Sequence, residues 1–581
     1  SNLQDLDPEI SFNFLGEISS ESSTQFMTLD NIELDCLINK SNSNPYLIEF
    51  SVFFLKGELF VDVYFDSTLI SQEDVEIMNQ NFVQTINELI NCSEDISTMR
   101  SISDVTNETF KYESNNLPIV NDKNIDKIRK TLPMQSNILF LEQFQKNRNI
   151  YHEQFKVDFK GRLNKKIFDK AVQFVVDQYE ALRTSFDLTT FGEPAQIIKQ
   201  NNTISIDAYT FESPRQDSEA AVKKLENEFL DIPFDIQESD LFRITILEFK
   251  DQEVSLIFDY HHIILDGWSM LIVLRKIFTC YTKLLKDATY INEEENINID
   301  DYFDYKDLFE TESAKRYWKN FLENIGENLN LENYFDRNLE GKTIEHNIGE
   351  YRFSISKQQD KQIRQFCENL NCTTNDFAHL IWSTILYKYL KSQSQVFFYT
   401  VSGRDGDINI ENEVGLFINT IPQVTNINDD SSISSIVESI HLNISNAFGY
   451  SQLPLSEILQ QSQVSHDQIN TLLVYENFPI HKDDFIAELS DSQLEFQTYK
   501  ATEATTYDLT LIFSEEEEKI SIRILYNPHK YSNQYISILG KNIQGIIDDL
   551  VTKNYFREIT LPDNTFNEAL QSVEDKLDFN F

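Results

Sequence analysis

Two stretches far apart in the chain share one pattern, and this repeat constrains the fold more than any other feature. Gly57 to Cys92 reads GELFVDVYFDSTLISQEDVEIMNQNFVQTINELINC, and Glu518 to Lys553 reads EKISIRILYNPHKYSNQYISILGKNIQGIIDDLVTK. Each opens with a strand pattern, carried by Phe60, Val61, Val63 and Phe65 in the first and by Ile520, Ile522, Ile524 and Tyr526 in the second. Each then crosses a short polar turn to a serine, Ser71 or Ser532, placed to cap a helix. The helix face is Val75, Met78, Phe82, Ile86 and Ile90 in one copy and Ile536, Leu539, Ile543 and Ile547 in the other. Upstream of each lies a further apolar strand, Ile10 to Ile18 and Thr471 to Ile480, ending in Asn13-Phe14 and Asn477-Phe478 at nearly the same separation. The chain reads as the tail of one domain followed by a whole domain of the same kind.

The rest of the organisation follows from where polarity concentrates. At 581 residues the chain is too long for one core. Ser93 to about Asp126 is polar and reads as a linker, and Asp287 to Asp301 carries an acidic run that either divides the main domain into two lobes or forms a charged surface loop. Lys and Arg number 49 against 95 Asp and Glu, a formal charge of -46, which disfavours nucleic acid and anionic membrane surfaces as partners. A hydrophobic content of 41% is enough for packed cores, so the acidity belongs to solvated surface. The five cysteines, Cys36, Cys92, Cys280, Cys367 and Cys372, are odd in number and form no CxxC pair, so reduced thiols of a cytoplasmic protein are expected. No apolar run approaches the roughly 18 residues of a membrane span, and no signal peptide opens the chain. Because the first residue is Ser1 rather than Met, the chain is expected to be a piece of something longer.

One constellation carries chemistry. From Glu253 the sequence EVSLIFDYHHIILDGWSMLIVLRKIFTCYTKLL reads as a buried strand (Val254 to Tyr260), a loop, and a helix running to about Leu284 with Ser269 as its cap. Two adjacent histidines, His261 and His262, stand at the strand end, followed by Asp266 and Gly267. Histidine is the side chain suited to general-base work near neutral pH. Consecutive strand residues face opposite ways, so one histidine can face a channel while the other braces the loop. Asp266 can lock that loop, and Gly267 keeps bulk out of the approach path. The remaining candidates His346 and His379 are remote and give no third ligand at compatible spacing, so no metal site is expected. No GxSxG elbow is present for a serine hydrolase. The residues therefore indicate acid–base chemistry without metal or visible nucleophile, suited to transfer between two bound substrates.

His261-His262-Ile-Ile-Leu-Asp266-Gly267 resembles the HHxxxDG signature of nonribosomal peptide synthetase condensation domains. Further motifs follow in family order over about Ile128 to Leu561. Leu132-Pro133-Met134-Gln135 with Ile138-Leu139-Phe140 resembles the first, and Tyr179-Glu180-Ala181-Leu182-Arg183-Thr184-Ser185-Phe186 the second. Tyr305-Lys306-Asp307 with Tyr317-Trp318 is similar to the fourth, and Thr400-Val401-Ser402-Gly403-Arg404 with Val414-Gly415-Leu416-Phe417-Ile418-Asn419-Thr420 to the fifth. Gln452-Leu453-Pro454-Leu455 and Val474-Tyr475-Glu476-Asn477-Phe478-Pro479 are similar to the last two. Ile10 to Gly16 and Ser103-Asp104 resemble the end of an epimerization domain, and Leu577 to Phe581 the linker into an adenylation domain.

The resemblance implies a chloramphenicol-acetyltransferase-like α/β fold, two lobes in a V around a central substrate tunnel. It divides the chain into an epimerization-like fragment (1–100), a linker (101–127), an N-terminal lobe (128–300), a C-terminal lobe (301–570) and the start of a linker (571–581). It implies amide formation between donor and acceptor thioesters, with no cofactor of the domain's own. Phosphopantetheine arms come from upstream and downstream peptidyl carrier proteins, and epimerization and adenylation domains are neighbours in the synthetase. His262 is then catalytic, with His261, Asp266 and Gly267 supporting it, Arg183 and Arg404 as candidate partners of Asp266, and Trp268, Ser402 and Asn419 lining the tunnel. The opening motif and the Val-Gly-Leu-Phe-Ile-Asn-Thr segment resemble the subgroup taking a D-configured donor and an L-acceptor. The rivals are an epimerization domain, a heterocyclization domain, which would carry an aspartate at His261, and a non-catalytic recruiting module, which would lose the histidine motif.

Overall fold

The computed structural model describes residues 10–18, 46–55, 58–91, 124–144, 151–291, 299–303, 311–325, 331, 348–404, 410–462, 464, 468–476 and 488–563, apart from a few positions within these ranges. The motif residues 103–104, 305–307, 477–479 and 577–581, and with them Cys36, Cys92 and His346, lie outside the described residues. The chain forms two compact units, Ser1–Met99 and Arg100–Phe581.

In the first unit β1 (Ile10–Ile18) pairs parallel with β2 (Ile48–Leu55), which pairs antiparallel with β3 (Glu58–Phe65). Helix α1 (Gln72–Asn91) follows, and the Ser71 hydroxyl accepts from the Asp74 amide at 3.1 Å as its cap. The helix lays Val75 and Phe82 on the sheet, the Phe82 ring meeting Phe12 and Phe50 at 6.5 and 5.9 Å between centroids.

The second unit opens with β4 (Ile125–Lys130), α2 (Pro133–Phe144), β5 (His152–Lys160), α3 (Lys165–Gln178), β6 (Thr184–Asp187), β7 (Ala195–Lys199), β8 (Ser205–Thr210), α4 (Glu219–Leu230), β9 (Phe242–Glu248), β10 (Glu253–His261) and α5 (Gly267–Lys286). It continues through α6 (Thr311–Phe321), β11 (Gly349–Ser354), α7 (Lys357–Leu370), α8 (Thr374–Leu390), β12 (Ser394–Val401), β13 (Asn419–Asn426), α9 (Ile433–Phe448) and α10 (Leu455–Gln460). It ends with β14 (Thr471–Glu476), β15 (Glu495–Thr502), β16 (Leu509–Glu516), β17 (Lys519–Tyr526) and α11 (Asn533–Leu550).

Three open sheets result, ordered β4-β7-β6, β15-β5-β10-β9-β8 and β11-β17-β16-β14-β12-β13. One core lies between the five-stranded sheet and helices α3 and α5, with Phe168, Val175, Leu256, Phe258 and Phe278 fully enclosed. The other surrounds α8, which buries Phe377, Leu380, Trp382 and Ile385 and is apolar on nearly every side, as a central helix must be. The lobes do not separate at residue 300. Strand β15 runs antiparallel to β5 (Glu495 opposite Lys160, Thr502 opposite Gln154), so the C-terminal half supplies the edge of the N-terminal sheet. Val414, Leu416, Leu489 and Leu494 also pack into the N-terminal core.

The repeat is a topological one. In the second unit β14 runs parallel to β16, β16 antiparallel to β17, and α11 follows under a Ser532 cap that accepts from the Tyr535 amide at 3.2 Å. Ile10 opposite Ile48 corresponds to Thr471 opposite Leu509, and Ile48 opposite Phe65 to Leu509 opposite Tyr526, at one constant separation that Ser71 and Ser532 also keep. The Asn-Phe match falls three positions out of this register, because Phe14 opposite Val52 corresponds to Tyr475 opposite Phe513. Strand register is set by the ladder and its turns rather than by a shared dipeptide.

Gly161 ends β5 at φ +129°, and a β-carbon there would overlap the Gln493 carbonyl oxygen just before β15. Gly161→Ala is expected to lower stability by about 1–3 kcal/mol, read as a lower midpoint in denaturant unfolding. An unchanged midpoint would show that the crossover relaxes at no penalty.

Candidate active site

Strand β10 lies in the middle of the five-stranded sheet, between β5 and β9, and its apolar run Val254, Leu256, Ile257 and Phe258 is buried on both faces. It ends at His261, and the chain turns through His262 to Leu265 before α5 begins at Gly267. The cap of α5 is Asp266 rather than Ser269. Asp266 has extended backbone (φ -93°, ψ 171°), and its Oδ1 accepts from the Ser269 amide at 2.7 Å. This satisfies an otherwise unpartnered helix-end N–H and sets a negative charge at the positive end of the helix.

The histidine turn is pinned on both sides. The His261 amide donates to the Leu241 carbonyl at 3.0 Å and the His262 amide to the Tyr151 carbonyl at 2.7 Å. His261 Nδ1 accepts from the Ile263 amide at 3.1 Å, so its proton sits on Nε2, which meets Glu142 Oε1 of α2 at 2.9 Å. Burial holds the His261 imidazole below its ordinary protonation range against the pull of Glu142, which suits a bracing role. His262 has the opposite arrangement. Its Nδ1 lies 2.7 Å from the Leu265 carbonyl, an acceptor only, so Nδ1 carries the proton and Nε2 the lone pair. Nε2 stands 3.9 Å from Glu153 Oε1 on β5, while Glu153 Oε2 accepts from the Tyr260 hydroxyl at 2.9 Å. The His262 side chain is 16% exposed and that of Glu153 8%.

Asp266 is the centre of a second set of contacts. Arg404 Nη2 donates to both its oxygens at 3.1 and 3.3 Å, with the two side chains only 1–2% exposed. Asp266 Oδ2 also accepts from the Phe417 amide at 3.1 Å. The Ser269 hydroxyl accepts from Arg404 at 2.6 Å and from the Gly415 amide at 3.0 Å, and donates to the Gly415 carbonyl at 2.7 Å. Arg404 Nη1 donates to the carbonyls of Ile410 and Glu413, and its guanidinium lies over the rings of Phe417 and Trp268 at 4.6 and 5.4 Å. The chain reaches Arg404 through Gly403 at φ +63°, where a β-carbon would overlap the Phe417 carbonyl oxygen. A third cluster joins Lys127 and Arg129 of β4 to Glu180 and to Asp300 of the segment leading to the second half.

The other anticipated site residues take different places. Arg183 does not reach Asp266: it is buried and donates to the carbonyls of Val176, Lys199 and Gln200, closing the end of α3 against β7. Gly267 is the exposed first residue of α5. Trp268 donates its indole N–H to the Glu411 carbonyl at 3.0 Å. Asn419 is buried and braces the turn after α9 by donating to the carbonyls of Ser451 and Leu453 at 2.7 and 2.9 Å. The Ser402 hydroxyl accepts from the Arg404 amide at 3.3 Å. Among the described residues no three His, Cys, Asp or Glu side chains gather as metal ligands.

Glu142, Glu153 and Gln135 were missed as site residues. Gln135 donates to the Ile263 carbonyl at 3.1 Å and so steadies the histidine turn from α2. Glu153 carried a legible signal: a carboxylate one residue into a strand otherwise destined for the core needs a partner.

Two outcomes follow from these contacts. Arg404→Ala leaves Asp266 buried without its cation, and a loss of about 3–5 kcal/mol is expected, measured by denaturant unfolding. Burial, with repulsion from Glu180, pushes the Glu413 carboxyl from 4.5 up to about 7. The folded group keeps a proton that the unfolded one has lost, so it makes stability fall as pH rises through that window. Glu413→Gln should flatten the fall, measured as unfolding midpoints across the window.

A family model described as "Condensation domain" matches residues 126–570. Bacitracin synthase 1 of Bacillus licheniformis is 26% identical over 545 residues, covering 92% of this chain and 10% of that protein. Gramicidin S synthase 2 of Aneurinibacillus migulanus is 25% identical over 421 residues, covering 71% of this chain and 9% of that one. The chain thus spans about a tenth of the length of these curated relatives. Among solved structures, the first condensation domain of the calcium-dependent antibiotic synthetase with substrate analogue 3a superposes with a TM-score of 0.62 at 13% identity, over 76% of this chain and 100% of that one. The starter condensation domain of rhizomide synthetase gives 0.61 at 16%, over 75% and 100%. These likenesses establish the chloramphenicol-acetyltransferase-like α/β fold. With the family's model spanning most of the chain and the histidine turn in place at the end of β10, the chain belongs to the condensation-domain family of nonribosomal peptide synthetases.

Proposed function

We propose that this chain joins a donor acyl thioester, D-configured at its terminal residue, to the amine of an acceptor aminoacyl thioester. Both ride on phosphopantetheine arms of upstream and downstream carrier proteins, between neighbouring epimerization and adenylation domains. The observation that carries the chemistry is the His262 ring, whose Nδ1–H is held on the Leu265 carbonyl with the lone pair on Nε2. The acceptor nitrogen attacks the donor carbonyl and its proton passes to Nε2. The new C–N bond forms as the C–S bond breaks, and the proton returns to the leaving sulfur. Asp266 and Arg404 act at a distance by fixing the turn that carries the ring. Holding two tethered substrates together supplies much of the rate. The D-donor reading is supported by the Leu132–Gln135 and Val414–Thr420 motifs and by the preceding unit, which repeats the closing strands and helix of the same fold.

The test is a condensation assay with carrier-loaded substrates. The wild type is expected to favour a D-terminated donor over its L epimer, and preference for the L donor would overturn the stereochemical reading. His262→Ala is expected to slow peptide formation by about 10²–10⁴-fold without abolishing it. Deuterium exchange at the donor α-carbon with no peptide formed would mark an epimerase instead.

A further inference from the structure

We infer that Glu153 is a positioning residue that sets a negative charge beside the His262 ring and thereby makes it a stronger base. The inference rests on the reading of His262 as the base of the condensation reaction. Glu153 lies on β5 directly opposite Tyr260 of β10, one residue before the histidine pair. The Tyr260 hydroxyl occupies one carboxylate oxygen at 2.9 Å, and the other faces His262 Nε2 at 3.9 Å. That separation is the distance of an ion pair rather than of a hydrogen bond.

The orientation of the ring does not depend on this contact, because the Leu265 carbonyl holds Nδ1–H from the far side. What the carboxylate adds is electrostatic. An opposite charge within about 4 Å favours the protonated ring, and the scarcity of solvent around an 8% exposed carboxylate keeps that field from being screened. When the acceptor amine gives its proton to Nε2, the imidazolium forms beside a charge already in place. Facing this site are also Tyr260, bonded to Glu153, and His261, bonded to Glu142 of α2 and within the field of His152. His261 Nδ1 is already taken by the Ile263 amide, so it does not duplicate the role.

The experiment is an NMR titration of the full chain carrying ¹³C,¹⁵N-histidine, with the His262 signals assigned by their loss in His262→Ala. In Glu153→Gln the ring is expected to take up its second proton at lower pH, its protonation constant falling about tenfold or more. The high-pH tautomer should stay Nδ1–H. The glutamine carbonyl still accepts from Tyr260, so packing is retained. If Glu153→Gln does not fold, Glu153→Asp withdraws the charge by one methylene and should give a smaller fall in the same direction. A midpoint equal to that of the wild type in the folded variant overturns the inference. Peptide formation by the wild type on loaded carriers judges the condensation reading separately, because the titration requires no turnover.

Discussion

The site depends first on the buried pair of Asp266 and Arg404. Neither charge survives burial alone, since the desolvation of each is offset only by the other and by further hydrogen bonds. Here the bonds are supplied almost completely: Asp266 receives the Ser269 and Phe417 amides, and Arg404 reaches the carbonyls of Ile410 and Glu413. The pair therefore ties three pieces of chain together, namely the start of α5, the 402–404 turn and the 410–417 segment. The histidine turn is suspended between this knot and the Tyr151 and Leu241 carbonyls at the other end. A ring on a surface loop would sample several orientations, whereas the His262 ring is held from both sides.

Around the knot, the sheet that bears the histidines carries several enclosed charges. Asp158 pairs with Arg215, Lys156 with Glu226, and Asp259 meets His152 and Gln154. These contacts answer part of the question raised by a net charge of -46. The basic residues are few, and several of them are spent inside, on carboxylates that the fold encloses. In the Lys127–Arg129–Glu180–Asp300 cluster two further cations are paired with carboxylates, with the Arg129 guanidinium over the Phe303 ring at 5.0 Å. At Glu413 burial and the repulsion of Glu180 outweigh the attraction of Arg404 and Arg129, and its raised protonation range is the consequence.

Much of this was legible in the chain itself where a local rule applies. The strand–turn–helix around His261 and His262 follows from an apolar run, a polar break and a second apolar period, and β10 and α5 lie where that pattern puts them. The serine caps and the strand–strand–helix repeat were equally readable, because capping and side-chain period act over a few residues. The cap of α5 was assigned three residues late, since Asp266 and Ser269 both suit the role by type and only the backbone angles decide between them. Arg183 and Arg404 were equivalent as partners for Asp266 until the fold brought one to it and turned the other onto backbone carbonyls.

The sequence by itself determined the repeat, the buried strand that ends in two histidines, and the residues able to do acid–base chemistry, because each rests on short-range periodicity and residue type. The tertiary structure alone decided which histidine nitrogen bears the lone pair, that Glu153 stands beside it, and that β15 of the second half completes the sheet of the first. Those outcomes depend on contacts between residues far apart in the chain, and the energy of such contacts is set by register, burial and the position of a facing carbonyl. No local pattern encodes them.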